Sequence, residues 1–193
     1  MRRIFIGIFI LSTICFNSGC ELNSPVHFIA DNAECKVRGE TSSESFWDRY
    51  VTFDDNFFPC SPNTEFELWV TTERLTIKSK DGRYQNNFKL SYNREKTYDY
   101  RSSIKGVKAY YFSGQSDRYR KYKSEVIIQW TSYKSIWIRC ITYFDDEVIK
   151  KTEDEMKDYL KGEKLKEVTI EEEYIKDYNE NIYNQLSYML NQL

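Results

Sequence analysis

The chain of 193 residues has a single histidine, His27, three prolines and seven glycines. With one imidazole, no histidine pair can hold zinc, and only His27 could serve as base to a serine or cysteine nucleophile. GxSxG, CxxC, GxxxxGK[ST] and the glycine-rich dinucleotide fingerprint do not occur. Serine-hydrolase, dithiol and nucleotide-binding chemistry therefore lack their usual carriers, and no cofactor or metal is expected. Neither Asp54-Asp55 nor Asp145-Asp146-Glu147 has the spacing of an EF-hand loop. Long apolar runs are also scarce. One exists, over residues 4–16, and it falls short of the roughly 20 residues that span a bilayer.

That run follows Arg2 and Arg3 and leads into Asn17-Ser18-Gly19-Cys20, the order of a secretory signal peptide. Ser18-Gly19-Cys20 resembles the end of a bacterial lipoprotein signal peptide, a likeness confined to residues 1–20. The resemblance implies that Cys20 becomes the first mature residue and carries lipid of the palmitate type. Glu21, where Asp would favour the inner membrane, implies an outer-membrane protein facing the periplasm. Ordinary secretion is the alternative. The expected organisation is a signal peptide over 1–19, a tether over 20–34 and one domain over 35–193. Among the remaining cysteines, Cys35 and Cys60 lie in turn-rich sequence and are the preferred disulfide pair, while Cys140 sits in an apolar run.

The clearest local signal is ERLTIKSK-DG-RYQNNFKL, an Asp81-Gly82 pair between two alternating runs. The spacing predicts a hairpin with Leu75 opposite Phe88, Ile77 opposite Asn86 and Ser79 opposite Tyr84. Its second face carries Arg74, Thr76, Lys78, Lys80, Arg83, Gln85, Asn87 and Lys89. Further strands are predicted over residues 65–72, 107–113, 125–131 and 135–144. The last two are apolar on both faces, as central strands are. Phe46, Trp47, Tyr50 and Val51 suggest one helical turn. Thr152-Glu153-Asp154-Glu155 and Thr169-Ile170-Glu171-Glu172 read as capping boxes. The first predicts a short helix stopped by Gly162. The second predicts a long C-terminal helix with Ile175, Tyr178, Ile182, Leu186, Met189 and Leu193 on its apolar face. The fold class expected is α+β: an antiparallel sheet of about six strands with that amphipathic helix packed on one face.

Charge is segregated. Residues 21–72 hold three basic and ten acidic side chains, 73–139 hold sixteen and six, and 140–193 hold seven and fourteen. Either the acidic flanks fold over the middle, or a basic face is left for an anionic partner. The candidate surface is Lys78, Lys80 and Arg83 on the hairpin with Arg118, Tyr119, Arg120, Lys121, Tyr122 and Lys123 on the following basic loop. Export argues against nucleic acid as the ligand of this tyrosine-bearing surface. The expected function is a non-enzymatic envelope lipoprotein binding another macromolecule, foremost an acidic protein, as an inhibitor, immunity protein or accessory subunit. Membrane lipid would be met through the anchor, and an anionic envelope component is a second ligand class. Two alternatives stand beside this. One is an envelope hydrolase using Asp54, Asp55, Asp145 or Asp146; the other is a structural lipoprotein without a discrete ligand site.

Overall fold

The computed structural model describes residues 24–43, 45–50, 58–61, 63–103, 108–131 and 133–193. The first elements of the described residues are β1 (Val26–Ile29), β2 (Asn32–Thr41) and β3 (Phe46–Tyr50). Next come β4 (Phe66–Val70), β5 (Arg74–Ser79), β6 (Gln85–Tyr92) and α1 (Arg94–Ser103). Then β7 (Lys108–Ser116), β8 (Lys123–Trp130) and β9 (Ile136–Tyr143) lead to α2 (Asp146–Glu155) and α3 (Lys157–Leu160). The chain closes with β10 (Leu165–Lys176) and α4 (Glu180–Leu190).

All ten strands join one antiparallel sheet in the order β1-β4-β5-β6-β7-β8-β9-β10-β2-β3. The sheet curls into a half-barrel, and residues 30 and 31 show how far. Ala30 N–H donates to Phe66 O of β4 at 2.9 Å, and Asp31 N–H donates to Ile175 O of β10 at 2.7 Å. Neighbouring residues thus bond to strands six places apart in the order, and the Phe66 and Tyr174 rings meet edge-on at 5.5 Å.

The inner face follows from period-two alternation. Phe66, Leu68 and Val70 of β4, Leu75 and Ile77 of β5, and Ile136, Ile138 and Cys140 of β9 are buried in one continuous core. Apolar burial of this kind contributes about 25 cal/mol per Å² and supplies most of the drive to curl. Ala109, Tyr111 and Ile127 form a smaller cluster on the outer face, where α1 packs against β7. This explains why β8 is apolar on both sides.

The Asp81-Gly82 hairpin has the predicted register, Leu75 against Phe88 and Ile77 against Asn86. Its turn is wider than a two-residue turn: Gly82 N–H donates to Ser79 O, and Ser79 N–H donates to Tyr84 O, both at 2.9 Å. Gly82 takes φ +73°, a left-handed conformation that glycine adopts without steric cost. Asp81 Oδ1 accepts from Ser79 Oγ at 2.7 Å and from Arg83 N–H at 3.0 Å, which locks the turn.

Several expectations are corrected. Among the described residues the sheet has ten strands and there are four short helices, so the fold is mostly β rather than α+β with six strands and one helix. Residues 26–34, expected in a tether, form β1 and the start of β2, because the backbone between β4 and β10 needs a strand to pair with. Phe46, Trp47 and Tyr50 belong to β3 and not to a helical turn, and Val51 lies outside the described residues. The T-x-x-E sequence at Thr169 opens no helix: residues 165–176 are β10, paired on both sides to β2 and β9. Thr152 lies inside α2, its hydroxyl donating to Val148 O at 2.8 Å, while Asp145 caps the helix by accepting from Val148 N–H at 3.2 Å. Between β6 and β7, residues 94–103 form α1.

α4 keeps only part of the predicted apolar face: Leu186 and Met189 are buried together with Leu190, whereas Ile175 lies in β10, Tyr178 precedes the helix and Leu193 is exposed beyond it. Its N-cap is Asn179, whose Oδ1 accepts from Ile182 N–H at 3.1 Å. It covers one mouth of the curl. Tyr110 hydroxyl donates to Asn191 Oδ1 at 2.6 Å, and Trp130 and Tyr183 meet edge-on at 6.1 Å. The Asp81-Gly82 turn and the 117–122 loop lie at the opposite mouth, beside Phe58, whose ring stacks on Phe66 at 5.0 Å.

Candidate functional site

The loop between β7 and β8, predicted as a basic surface, is divided by the fold. Ser116 Oγ accepts from the backbone N–H groups of Arg118 and Tyr119, each at 3.1 Å, and donates to Asn86 Oδ1 at 2.7 Å. These bonds turn the first part of the loop into the barrel mouth. Arg118 lies over the Tyr84 ring at 4.9 Å, and Tyr119 packs against the core and the Phe144 ring.

Beneath them is a buried polar layer. Glu172 of β10 is 1% exposed and stands in register between Cys35 of β2 and Cys140 of β9. Tyr174 hydroxyl donates to Glu172 Oε2 at 3.0 Å, and Tyr84 hydroxyl also donates to this carboxylate. Ser124 and Thr142 hydroxyls pair at 2.9 Å on the same inner face. Burial raises the Glu172 pKa, against the pull of its tyrosine donors and of the Arg118 charge. Burial and the neighbouring Glu172 charge also push up Tyr84, Tyr174 and Cys140. A satisfied carboxylate under tyrosine and arginine specifies the interior packing.

The remaining predicted residues lie outside. Lys78 is exposed on β5 in register with Glu67. Lys80 pairs with Glu65, and Arg83 with Asp81 at 3.8 Å. Arg120 and Lys121 are exposed at the loop tip, with Arg120 Nε donating to Asp117 O at 3.1 Å. Tyr122 lies edge-on to Phe144 at 5.0 Å. Lys123 pairs with Glu125 at 3.1 Å. Glu125 is itself 2% exposed, held by Lys96 at 2.9 Å and by the Tyr111 and Tyr143 hydroxyls.

Cys35, Cys60 and Cys140 are buried, and no disulfide joins the preferred pair Cys35 and Cys60 in this structure. Cys20, Asp54 and Asp55 lie outside the described residues. Asp145 caps α2 and Asp146 is exposed in its first turn. Among the described residues, no three His, Cys, Asp or Glu side chains gather as a metal-binding group, and no helix is long and apolar enough to cross a membrane.

Two features were not anticipated from the sequence. Glu172 was read as part of a helix start, and its only sequence signal is its place in the alternating row Val168, Ile170, Glu172, Tyr174. The second is a groove of about 1120 Å³ on the outer face of β4 to β6, lined by Pro25, Trp69, Arg74, Thr76, Asn87 and Lys89 among others. Thr76 Oγ1 donates to Asn87 Oδ1 at 2.9 Å, and Trp69 stacks on His27 at 4.6 Å. Compared with known protein families, curated proteins and solved structures, the chain matches none of them.

Proposed function

We propose that the protein is a non-enzymatic envelope lipoprotein, anchored through Cys20, that binds an acidic protein partner. Its contact surface is the barrel mouth formed by the Asp81-Gly82 turn and the 117–122 loop. One observation supports this most directly: Arg120 and Lys121 are exposed on a loop whose base is fixed by Ser116 and by inward-packed Tyr119. Cations held on a fixed loop lose little entropy on binding and steer an acidic surface by charge complementarity. Lys78 adds a third exposed cation on the adjoining strand. An inhibitor or immunity protein and an accessory subunit of an envelope assembly both use such a surface, and the outer membrane facing the periplasm is the compartment proposed.

The test is in-cell crosslinking and capture of the wild type against a variant carrying Lys78→Glu, Arg120→Glu and Lys121→Glu. Arg118 stays unchanged because it lies over Tyr84 and opposes the Glu172 charge. Capture of the partner should fall at least about tenfold at low salt, three reversed charges slowing association and weakening the complex. Equal yields from both proteins would remove the proposed surface.

A further inference from the structure

The mouth covered by α4 exposes a different set of side chains. The chain enters the described fold here, at Ser24 and Pro25, and Val26 pairs with Val70 at this end of β4. Tyr133, on the turn between β8 and β9, is 84% exposed; Tyr178 is 49% exposed and Tyr188 59%. Lys134 beside Tyr133 holds its ammonium 5.4 Å from the Tyr178 ring and 5.5 Å from the Tyr183 ring. The outer groove reaches the same end. There Arg74 and Lys89 are direct cross-strand partners, and like charges so placed repel. Glu73, Asp177 and Glu180 are exposed acids around the same mouth.

Tyrosines with an apolar ring and a wet hydroxyl, interspersed with long basic side chains, match a lipid headgroup layer better than bulk water. The cations there complement lipid phosphate. Pro25 follows Cys20 by five positions, so the lipidated cysteine lies within about 18 Å of this mouth even at full extension. We infer that the α4 mouth, with Tyr133, Lys134, Tyr178, Arg74 and Lys89, rests on the headgroup layer of the membrane that holds the anchor. This rests on reading Cys20 as lipidated. The consequence is directional: the Asp81-Gly82 turn and Arg120 face the aqueous compartment, where a partner can reach them.

The full chain is reconstituted in phosphatidylethanolamine–phosphatidylglycerol vesicles containing a nitroxide-headgroup lipid. It carries an environment-sensitive thiol dye at Tyr133→Cys or, in a second protein, at Arg120→Cys; the buried native thiols are blocked slowly enough to leave these sites selective. Quenching at position 133 should exceed that at 120 by at least about threefold, as for a residue at the interface against one in water. Intact-mass analysis of the same preparations reports acylation of Cys20 separately. Acylated protein with equal quenching at both positions, or more at 120, overturns the inference while the anchor stands. If Cys20 is not acylated, the anchor reading fails and flotation decides. Protein that floats with the vesicles, quenched at 133, supports the surface; protein that does not float overturns it.

Discussion

Glu172 faces the interior between Cys35 and Cys140, and its proton is coupled to folding. Burial holds its carboxyl above the ordinary value of 4.5, so the folded state binds the proton more tightly than the unfolded chain. Stability from this group is fully present below the unfolded pKa and is lost as pH rises toward the folded one. Tyr84, Tyr174 and Cys140 are pushed above their own ordinary values and stay protonated throughout that window. Glu172→Gln still accepts from both tyrosines but no longer titrates. The melting temperature of this variant, relative to wild type, should rise as the pH increases above about 4.5 and level off once the folded carboxyl has ionised. Paired thermal melts across that range measure it, and a pH-independent difference would show that Glu172 does not titrate with folding. The same residue explains a misreading: a carboxylate within an otherwise apolar alternation disguises a strand.

At the scale of elements, β10 is where local sequence and tertiary pairing disagree most. A helix opened by Thr169 would have Ile170 as its first residue, a position that accepts proline. In the structure Ile170 is 1% exposed and sits between Val37 and Thr142 in a strand paired on both sides. Ile170→Pro removes a buried side chain and ladder bonding capacity, and should cost about 3 kcal/mol or more, enough to prevent folding of a marginal domain. Denaturant titration, or loss of soluble expression, reads this directly, and a variant as stable as wild type would restore the helical reading. α4 is the contrasting case. Its apolar spacing, helix and buried face coincide, and Leu186→Ala should cost about 3 kcal/mol by leaving a cavity under the helix.

Over the whole molecule, the curl removes the thiols from water. Cys35, Cys60 and Cys140 are at most 3% exposed. Cys60 is pushed up to about 11 by burial and by the Asp81 carboxylate. Alkylation of the folded protein at neutral pH should be at least about tenfold slower at these three positions than in denaturant, since the thiolate is the nucleophile. Residue-resolved mass spectrometry measures the rates. Fast labelling, or a Cys35–Cys60 bond found by non-reducing peptide mapping, would overturn the description of three inert thiols.

Features that depend on neighbours along the chain are legible without the fold. Alternation set the register of the Asp81-Gly82 hairpin, and apolar spacing of three and four residues placed Leu186 and Met189 on the buried face of α4. The concentration of positive charge in residues 73–139 is legible in the same way. Tertiary structure alone decided which of those charges face water. Arg118 and Tyr119 turn inward because Ser116, Asn86 and Tyr84 wait on strands up to 35 residues away in the chain, and no local pattern records that distance. The strands of residues 26–50 and 165–176 were likewise undecided locally. β1 and β2 are short or polar, and the carboxylates of β10 disguise its alternation; they are settled as strands by backbone pairing with partners distant in the chain, β1 with β4, β10 with β9 and β2 with β10.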